Sequence, residues 1–260
     1  MKKLLLLSAF LIFACSSDES DSSDNNSNNT SAQKLIESIT VISPSCENTY
    51  NLWLFYDNQN RITSFQTQYY ETNCSVTNED DNYDIMNYQI DYSENIISLS
   101  ANGSSADIPI NDDGLYDDTN LTFVNGYLIS ATGDAPIYNP DECGGTLVWI
   151  DNNLVEENTY SNTNCSEIRT TTYEYYEHIN PIPFFRISWH NYWGTAFGMT
   201  GVFGNQSQNL VSKTTTSYGY KNFNYQLDGD GYPTVIYVES FDNNNNTASR
   251  YVNYEINYIE

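Results

Sequence analysis

The stretch Tyr225-Gln226-Leu227-Asp228-Gly229-Asp230-Gly231-Tyr232-Pro233-Thr234 dictates its own backbone course more tightly than any other part of the chain. Tyr225 and Leu227 alternate with Asn224 and Gln226, which is the period of a half-buried strand. Asp228 suits the first corner of a type I turn. Gly231 suits the fourth, where the backbone turns left-handed. A type I turn closed by a left-handed residue is the common three-residue hairpin loop. Such a unit builds antiparallel sheet and performs no chemistry.

Weaker copies of this unit recur. Tyr50-Asn51-Leu52-Trp53-Leu54-Phe55-Tyr56 and Ile62-Thr63-Ser64-Phe65 flank the turn Asp57-Asn58-Gln59-Asn60. Asp57 takes the place of Asp228, Asn60 that of Gly231 and Thr63 that of Thr234. Asparagine is the best substitute for glycine in a left-handed position. Ile110-Asn111-Asp112-Asp113-Gly114-Leu115 offers a third example, and residues 92–96 and 150–154 give shorter ones. Phe123-Val124-Asn125-Gly126-Tyr127-Leu128 carries an Asn-Gly two-residue hairpin. Residues 34–43 open the fold as a strand. Residues 250–259 close it, with Val252, Tyr254, Ile256 and Tyr258 on one face and Asn253, Glu255 and Asn257 on the other.

The spacing of these units is irregular, which argues against a solenoid or propeller of fixed repeat. The reading is an all-β protein: one large antiparallel meander over residues 34–260, curling into a barrel-like or half-open sheet. The 23 tyrosines and the threonine-rich runs favour pleated, half-buried surfaces, so an extensive, thin sheet is expected.

One region breaks the rhythm. Residues 173–209 contain His178-Ile179-Asn180-Pro181, then Trp189, His190, Tyr192, Trp193 and the glycines 194, 198, 201 and 204. This aromatic segment reads as a long irregular or partly helical insertion that plugs or covers one end of the sheet. Long loops inside a compact domain are often functional. Trp189, Tyr192 and Trp193 are therefore candidate ligand-binding residues. Exposed together they could stack on sugar rings; buried, they are packing.

With 9 basic against 34 acidic residues, the formal charge is −25. A surface this acidic repels phosphate backbones, which excludes nucleic acid as a partner. It also repels an anionic membrane face, so any membrane attachment needs another device.

The N-terminus supplies one. Lys2-Lys3 precedes an apolar run over residues 4–13. That run is too short to span a bilayer, which takes about 20 residues, and fits a secretory leader. It ends at Ile12-Phe13-Ala14-Cys15, which resembles the lipobox of bacterial lipoproteins. There a small residue precedes a cysteine that is diacylated and becomes the new N-terminus. Ile12 stands where leucine is usual, and Phe13 is bulkier than usual. The resemblance implies a signal peptide at residues 1–14 and lipid attachment at Cys15, with two acyl chains giving stable anchorage in the lipid bilayer. Ser16 replaces the aspartate that holds lipoproteins at the inner membrane. The cluster Asp18, Glu19 and Asp21 looks like the export signal of Bacteroidota-type lipoproteins, which implies the outer membrane, facing the exterior. Residues 15–33 are Ser, Asp and Asn with almost nothing apolar, and read as a disordered tether reaching about 20–25 Å.

Cys46, Cys74, Cys143 and Cys165 remain. An even count in an exported chain points to two bridges, with three connectivities open. Cys46 and Cys74 are centred on the Asp57–Asn60 turn, and Cys143 and Cys165 lie about the Asp151–Asn153 turn. Each pair would face across the open end of one hairpin, so Cys46–Cys74 and Cys143–Cys165 are the expected bridges. No close Cys-x-x-Cys pair suggests zinc. Asp228, Asp230 and Glu239 mimic three positions of a calcium loop, but Tyr232 and Pro233 occupy its fifth position and its glycine position. No metal and no cofactor are expected.

Catalysis finds little support. The two histidines, His178 and His190, both fall in the aromatic insertion, and no Gly-x-Ser-x-Gly elbow is present. A pair of carboxylates could hydrolyse a glycoside, but among 34 acidic residues finding such a pair decides nothing.

The run 225–236, Ser207-Gln208-Asn209-Leu210-Val211 and the Asn180-Pro181 stretch resemble a family of Bacteroidota lipoproteins of unknown function with a porin-like β fold. Strands of that family read Tyr-x-Tyr-Asp-x-x-Gly-Arg-Leu-Thr, similar to the tyrosine–aspartate repeats of bacterial surface proteins. Residues 55–63 match this, with Asn60 at the glycine position. The resemblance implies a fold and a location and brings no catalytic residues. The expected function is a monomeric, lipid-anchored, non-catalytic surface domain that binds a glycan or protein ligand. A structural or adhesive envelope component and a carboxylate-dependent hydrolase are the alternatives.

Overall fold

Antiparallel pairing organises the whole of the computed structural model, which describes residues 34–42, 49–70, 85–132, 142–161, 165–181, 200–243 and 250–259. The first half holds β1 (Ile36–Ile42), β2 (Thr49–Tyr56), β3 (Ile62–Tyr70), β4 (Met86–Tyr92), β5 (Ile96–Ala101) and β6 (Ser104–Pro109). Then come β7 (Leu121–Val124), β8 (Tyr127–Thr132), β9 (Glu142–Ile150), β10 (Asn153–Ser161) and β11 (Glu167–Ile179). β12 (Asn209–Thr215), β13 (Gly219–Leu227), β14 (Pro233–Asp242) and β15 (Arg250–Tyr258) complete the set.

All fifteen lie in one sheet, in the order β6-β5-β4-β3-β2-β1-β15-β14-β13-β12-β11-β10-β9-β8-β7. The chain therefore starts in the middle, winds out to one edge, crosses to the other, and winds back until β15 pairs with β1. Ile39 sits between Leu52 and Ile256 on this central seam. No ladder joins β6 to β7 among the described residues, so the sheet is half-open.

Simple geometry forces it to curl. Strands sit about 4.8 Å apart, so fifteen of them laid flat would span about 67 Å. The crossing from Pro109 to Leu121 can reach only about 40 Å even fully extended. It is shorter still, because the Asp117 amide donates to the Pro109 carbonyl and the Leu121 amide to that of Asp118. The core agrees. One buried cluster joins Ile97, Leu99 and Ile108 near the β6 edge with Leu121, Leu128 and Ala131 at the β7 edge, through Ile39, Leu54, Ile236 and Ile256. On a flat single sheet this face would lie open to solvent, yet Ile39, Leu99, Leu128 and Ile236 are fully buried.

The aromatic segment begins later than its composition suggests. Tyr173 to Ile179 belong to β11, a strand of 13 residues, because alternating Tyr and Glu suits a strand with one wet face. Residues 182–199, with Trp189, His190, Tyr192 and Trp193, lie outside the described residues. The far end of the segment does act as a plug. Val202 and Phe203 are wholly buried in the core. The Tyr116 amide donates to the Val202 carbonyl, and the Asn205 amide to that of Gly126. The plug thus grips both the crossing segment and the β7–β8 hairpin.

The hairpin corners follow one design. The side-chain Oδ1 of Asp57 accepts from the amides of Gln59 and Arg61, at 2.8 and 3.0 Å. Asn111 does the same for Asp113 and Leu115, and Asp228 for Asp230 and Tyr232. Asn60, Gly114 and Gly231 occupy the left-handed position, with φ of 62°, 74° and 86°. Asn125-Gly126 and Asp151-Asn152 form the tighter two-residue turns, with positive φ at both residues. Asn102-Gly103 does likewise between β5 and β6.

Tyrosine is the second recurring device. The Tyr56 hydroxyl donates to the Ile36 carbonyl, Tyr92 to Ile62, Tyr175 to Leu154, Tyr225 to Val211 and Tyr258 to Pro233. Each bond reaches from one strand to its sheet neighbour, so the ring covers core while the hydroxyl satisfies a backbone acceptor. Burial pushes Tyr56 and Tyr92 up to about 12, and lifts Tyr225 and Tyr258 well above the usual tyrosine range.

Gly144 shows how closely the strands pass. Its φ is +112°, and an added Cβ would collide with the Ala131 carbonyl of β8. Gly103 also has positive φ, at +80°, but open space around it. Gly144→Ala should destabilise the fold by about 3 kcal/mol or more, whereas Gly103→Ala should cost only about 1–2 kcal/mol. Urea unfolding of both variants measures the contrast, and equal losses would contradict it.

Candidate functional site

Alternation along the strands decides what faces water. On β3, Phe65 is buried between Ser64 and Gln66; on β4, Tyr88 is buried between Asn87 and Gln89; on β5, Leu99 and Ala101 flank Ser100. Phe65 and Tyr88 stack on the core side, with ring centroids 4.3 Å apart. At these positions the opposite face is therefore serine and amide. Pairing sets those side chains in rows. Ser64 opposes Gln89, Gln89 opposes Ser100 and Ser100 opposes Ser105. Gln66 opposes Asn87, and its Nε2 donates to Asn87 Oδ1 at 2.8 Å. Together they line a groove of about 530 Å³ at the β6 side of the sheet.

The rows continue onto β2 with aromatic side chains. Trp53 opposes Gln66 and Phe55 opposes Ser64. Leu52 and Leu54 are buried, so Trp53 and Phe55 point to the outer face, Phe55 with 44% of its surface exposed. None of these groove residues stood out in the sequence. The signal was there: in a chain of 34 acidic residues, the outward positions of Ser64-Phe65-Gln66 and Asn87-Tyr88-Gln89 are uncharged.

The candidates that the sequence did suggest are placed differently. Cys15, Cys46, Cys74, Trp189, Tyr192 and Trp193 lie outside the described residues. Cys143 and Cys165 form a disulfide, with Cα atoms 5.5 Å apart. It closes the open end of the β9–β10 hairpin across 22 residues of sequence, a loop for which chain entropy gives about 3 kcal/mol. His178 is exposed on β11, and its carbonyl accepts from Asn209 Nδ2.

The acidic corner at Asp228 is held by a cation from this chain. Lys34 Nζ lies 2.7 Å from both Asp228 Oδ2 and Asp230 Oδ2. It also sits 5.3 Å from the centroid of the Tyr232 ring, which packs edge-on to Tyr258. No cluster of three or more metal-ligating side chains occurs among the described residues. The hydrogen bond from Lys34 holds Asp228 below the usual carboxylate range, aided by the amides of Tyr232 and Asp230. Asp57 is lowered by the backbone bond from Arg61 and by the Arg61 side chain. A glycosidase acid needs the opposite shift, a carboxyl held protonated. These two aspartates shape turns.

No family model and no curated protein matches the sequence. Among solved structures, the fold is similar to a porin-like protein from Bacteroides uniformis ATCC 8492. The TM-score is 0.66 at 13% identity, over 86% of this chain and 98% of that one. A porin-like protein from Bacteroides vulgatus ATCC 8482 also aligns, at TM-score 0.39 and 12% identity, over 87% and 99% of the two chains. The first likeness establishes a porin-like all-β fold. On part of the sheet the faces are reversed from those of a strand barrel that crosses a bilayer, which puts apolar residues outside and polar ones within, whereas Val124 of β7, Val148 and Ile150 of β9, and Ile168 and Ile179 of β11 are exposed. Here β3, β4, β5 and β15 bury Phe65, Ile90, Leu99 and Ile256 and turn Gln66, Gln89, Ser100 and Glu255 outward.

Asn111 shows that an amide builds the same corner as an aspartate. Asp228→Asn therefore removes only the charge opposite Lys34. Asp228 has a depressed folded pKa, so its stabilisation is present above about pH 4 and is lost as pH falls through the lowered value. The variant should melt below wild type at pH 7, and the gap should close in acid. Calorimetry across pH checks this, and a gap that persists in strong acid refutes it.

Proposed function

We propose that this chain is a lipid-anchored, non-catalytic binding domain displayed on the outer face of the outer membrane. The observation that carries the reading is the orientation of β3, β4, β5 and β15, which enclose Phe65, Ile90, Leu99 and Ile256 and turn Gln66, Gln89, Ser100 and Glu255 out. Strands of that polarity belong in water. Attachment to a membrane then falls to the acyl chains at Cys15, through the tether at residues 15–33. The name of the Bacteroides uniformis neighbour, a porin-like protein, supports an association with the outer membrane or cell surface. The perturbed aspartates are engaged in turns and with Lys34 and Arg61, which favours binding over hydrolysis.

Metabolic labelling with palmitate tests the anchor. Wild type should take up label and sediment with membranes; Cys15→Ser should lose both properties. Protease added to intact cells should remove the wild-type domain. Labelling that survives Cys15→Ser, or full protection from protease, would overturn the assignment.

A further inference from the structure

We propose that the groove on the outer face of β3–β6, with Trp53 and Phe55 of β2 at its side, is a binding site for a neutral oligosaccharide. The assignment rests on reading the chain as a binding domain, and it names that domain's ligand class and site.

Three observations converge on it. The first is composition. Ser64, Gln66, Asn87, Gln89, Ser100 and Ser105 are all uncharged, on a chain of formal charge −25. Each hydroxyl or amide can both donate and accept, as a sugar hydroxyl requires of its partner. The Gln66–Asn87 bond uses one donor of Gln66 and the oxygen of Asn87. By valence Gln66 Oε1 can still accept and Asn87 Nδ2 can still donate. Two complementary groups are thus held side by side.

The second observation is the aromatic border. Trp53 is in register with Gln66, and Phe55 with Ser64. A pyranose has an apolar face and a rim of hydroxyls. An aromatic ring next to a row of amides matches both. The groove's volume, about 530 Å³, falls within the range of about 300–1,000 Å³ typical of small-ligand sites.

The third is the charge next to the groove. One rung further along the strands, Asp91 opposes Ser98 and Ser98 opposes Asp107. The Ser98 hydroxyl donates to Asp107 Oδ1 at 2.6 Å. Carboxylates beside the groove repel sulfated or uronic sugars, nucleotides and anionic lipid. They leave neutral sugars unopposed. The sequence placed its sugar-stacking candidates at Trp189, Tyr192 and Trp193; the groove is built from other residues.

The full-length protein in detergent, applied to an array of neutral hexasaccharides of glucose, mannose, galactose and xylose plus heparin fragments and random peptides, provides the test. At least one neutral hexasaccharide should bind, heparin should not, and the bound sugar should be recovered uncleaved. Calorimetric titration should then show affinity falling about tenfold or more in Gln66→Ala, Asn87→Ala and Phe55→Ala. Tyr237→Ala, on β14 beyond the central seam, should leave affinity unchanged. Thermal midpoints within a few degrees of wild type would confirm that the surface variants are folded. Absence of any neutral hexasaccharide hit overturns the proposal, as does a hit whose affinity the three groove variants leave unchanged. Peptide binding without sugar binding would sink the ligand assignment and leave the binding-domain reading standing. Cleavage of the sugar would sink the non-catalytic reading instead.

Discussion

The described residues form a single sheet, which must supply both its own core and its own wet surface. Everything else in this fold follows from that constraint. The apolar face can be hidden only if the sheet bends until its two ends share one interior, and the short crossing between β6 and β7 holds it there. Alternation then has to be kept along each strand, because a slip of one residue would turn the strand inside out, and bulges such as the one between Phe55 and Tyr56 reset it. The hairpin corners fix that register through hydrogen bonds internal to the turn. The plug at Val202 and Phe203 fills space that the strands alone leave between the crossing and β8.

The tyrosines answer the same constraint from the side-chain end. In a one-layer fold the boundary between core and solvent runs along every strand. A residue with a large apolar ring and a polar tip suits that boundary better than leucine or phenylalanine. Tyr56, Tyr92 and Tyr258 all stand at strand ends and bond to a carbonyl at the start of the neighbouring strand. They join the last core residue of a strand to the first backbone group beyond the ladder.

Much of this was legible in the residues. The Asp57, Asn111 and Asp228 corners, the Asn125-Gly126 turn, the faces of β15 and the Cys143–Cys165 pairing are local matters, decided by a few neighbouring side chains. The Asn102-Gly103 turn carries the same Asn-Gly signal as Asn125-Gly126 and has the same positive φ at both residues. What could not be read was long-range. Nothing near Ile36 announces that its strand will pair with one more than 200 residues later, since antiparallel register across that distance depends on every hairpin between. The start of the aromatic segment is hidden in the sequence for a related reason. Tyr173 to Ile179 read as strand only once β12 is there to pair with them. The groove was invisible because its residues are ordinary one at a time. It exists only where four strands bring them into rows.

The meeting of β1 with β15 has a consequence for how the molecule assembles. Asn257 reaches Ser38 across 219 positions, and Lys34 reaches Asp228 across 194. Each local ribbon can form as soon as it is made, but the central joint waits for the nine-residue β15. Closing a contact of that span is slow compared with making a hairpin. A nascent chain therefore stays open down its middle until β15 has been made. Truncation by a single strand would remove not an edge but the keystone.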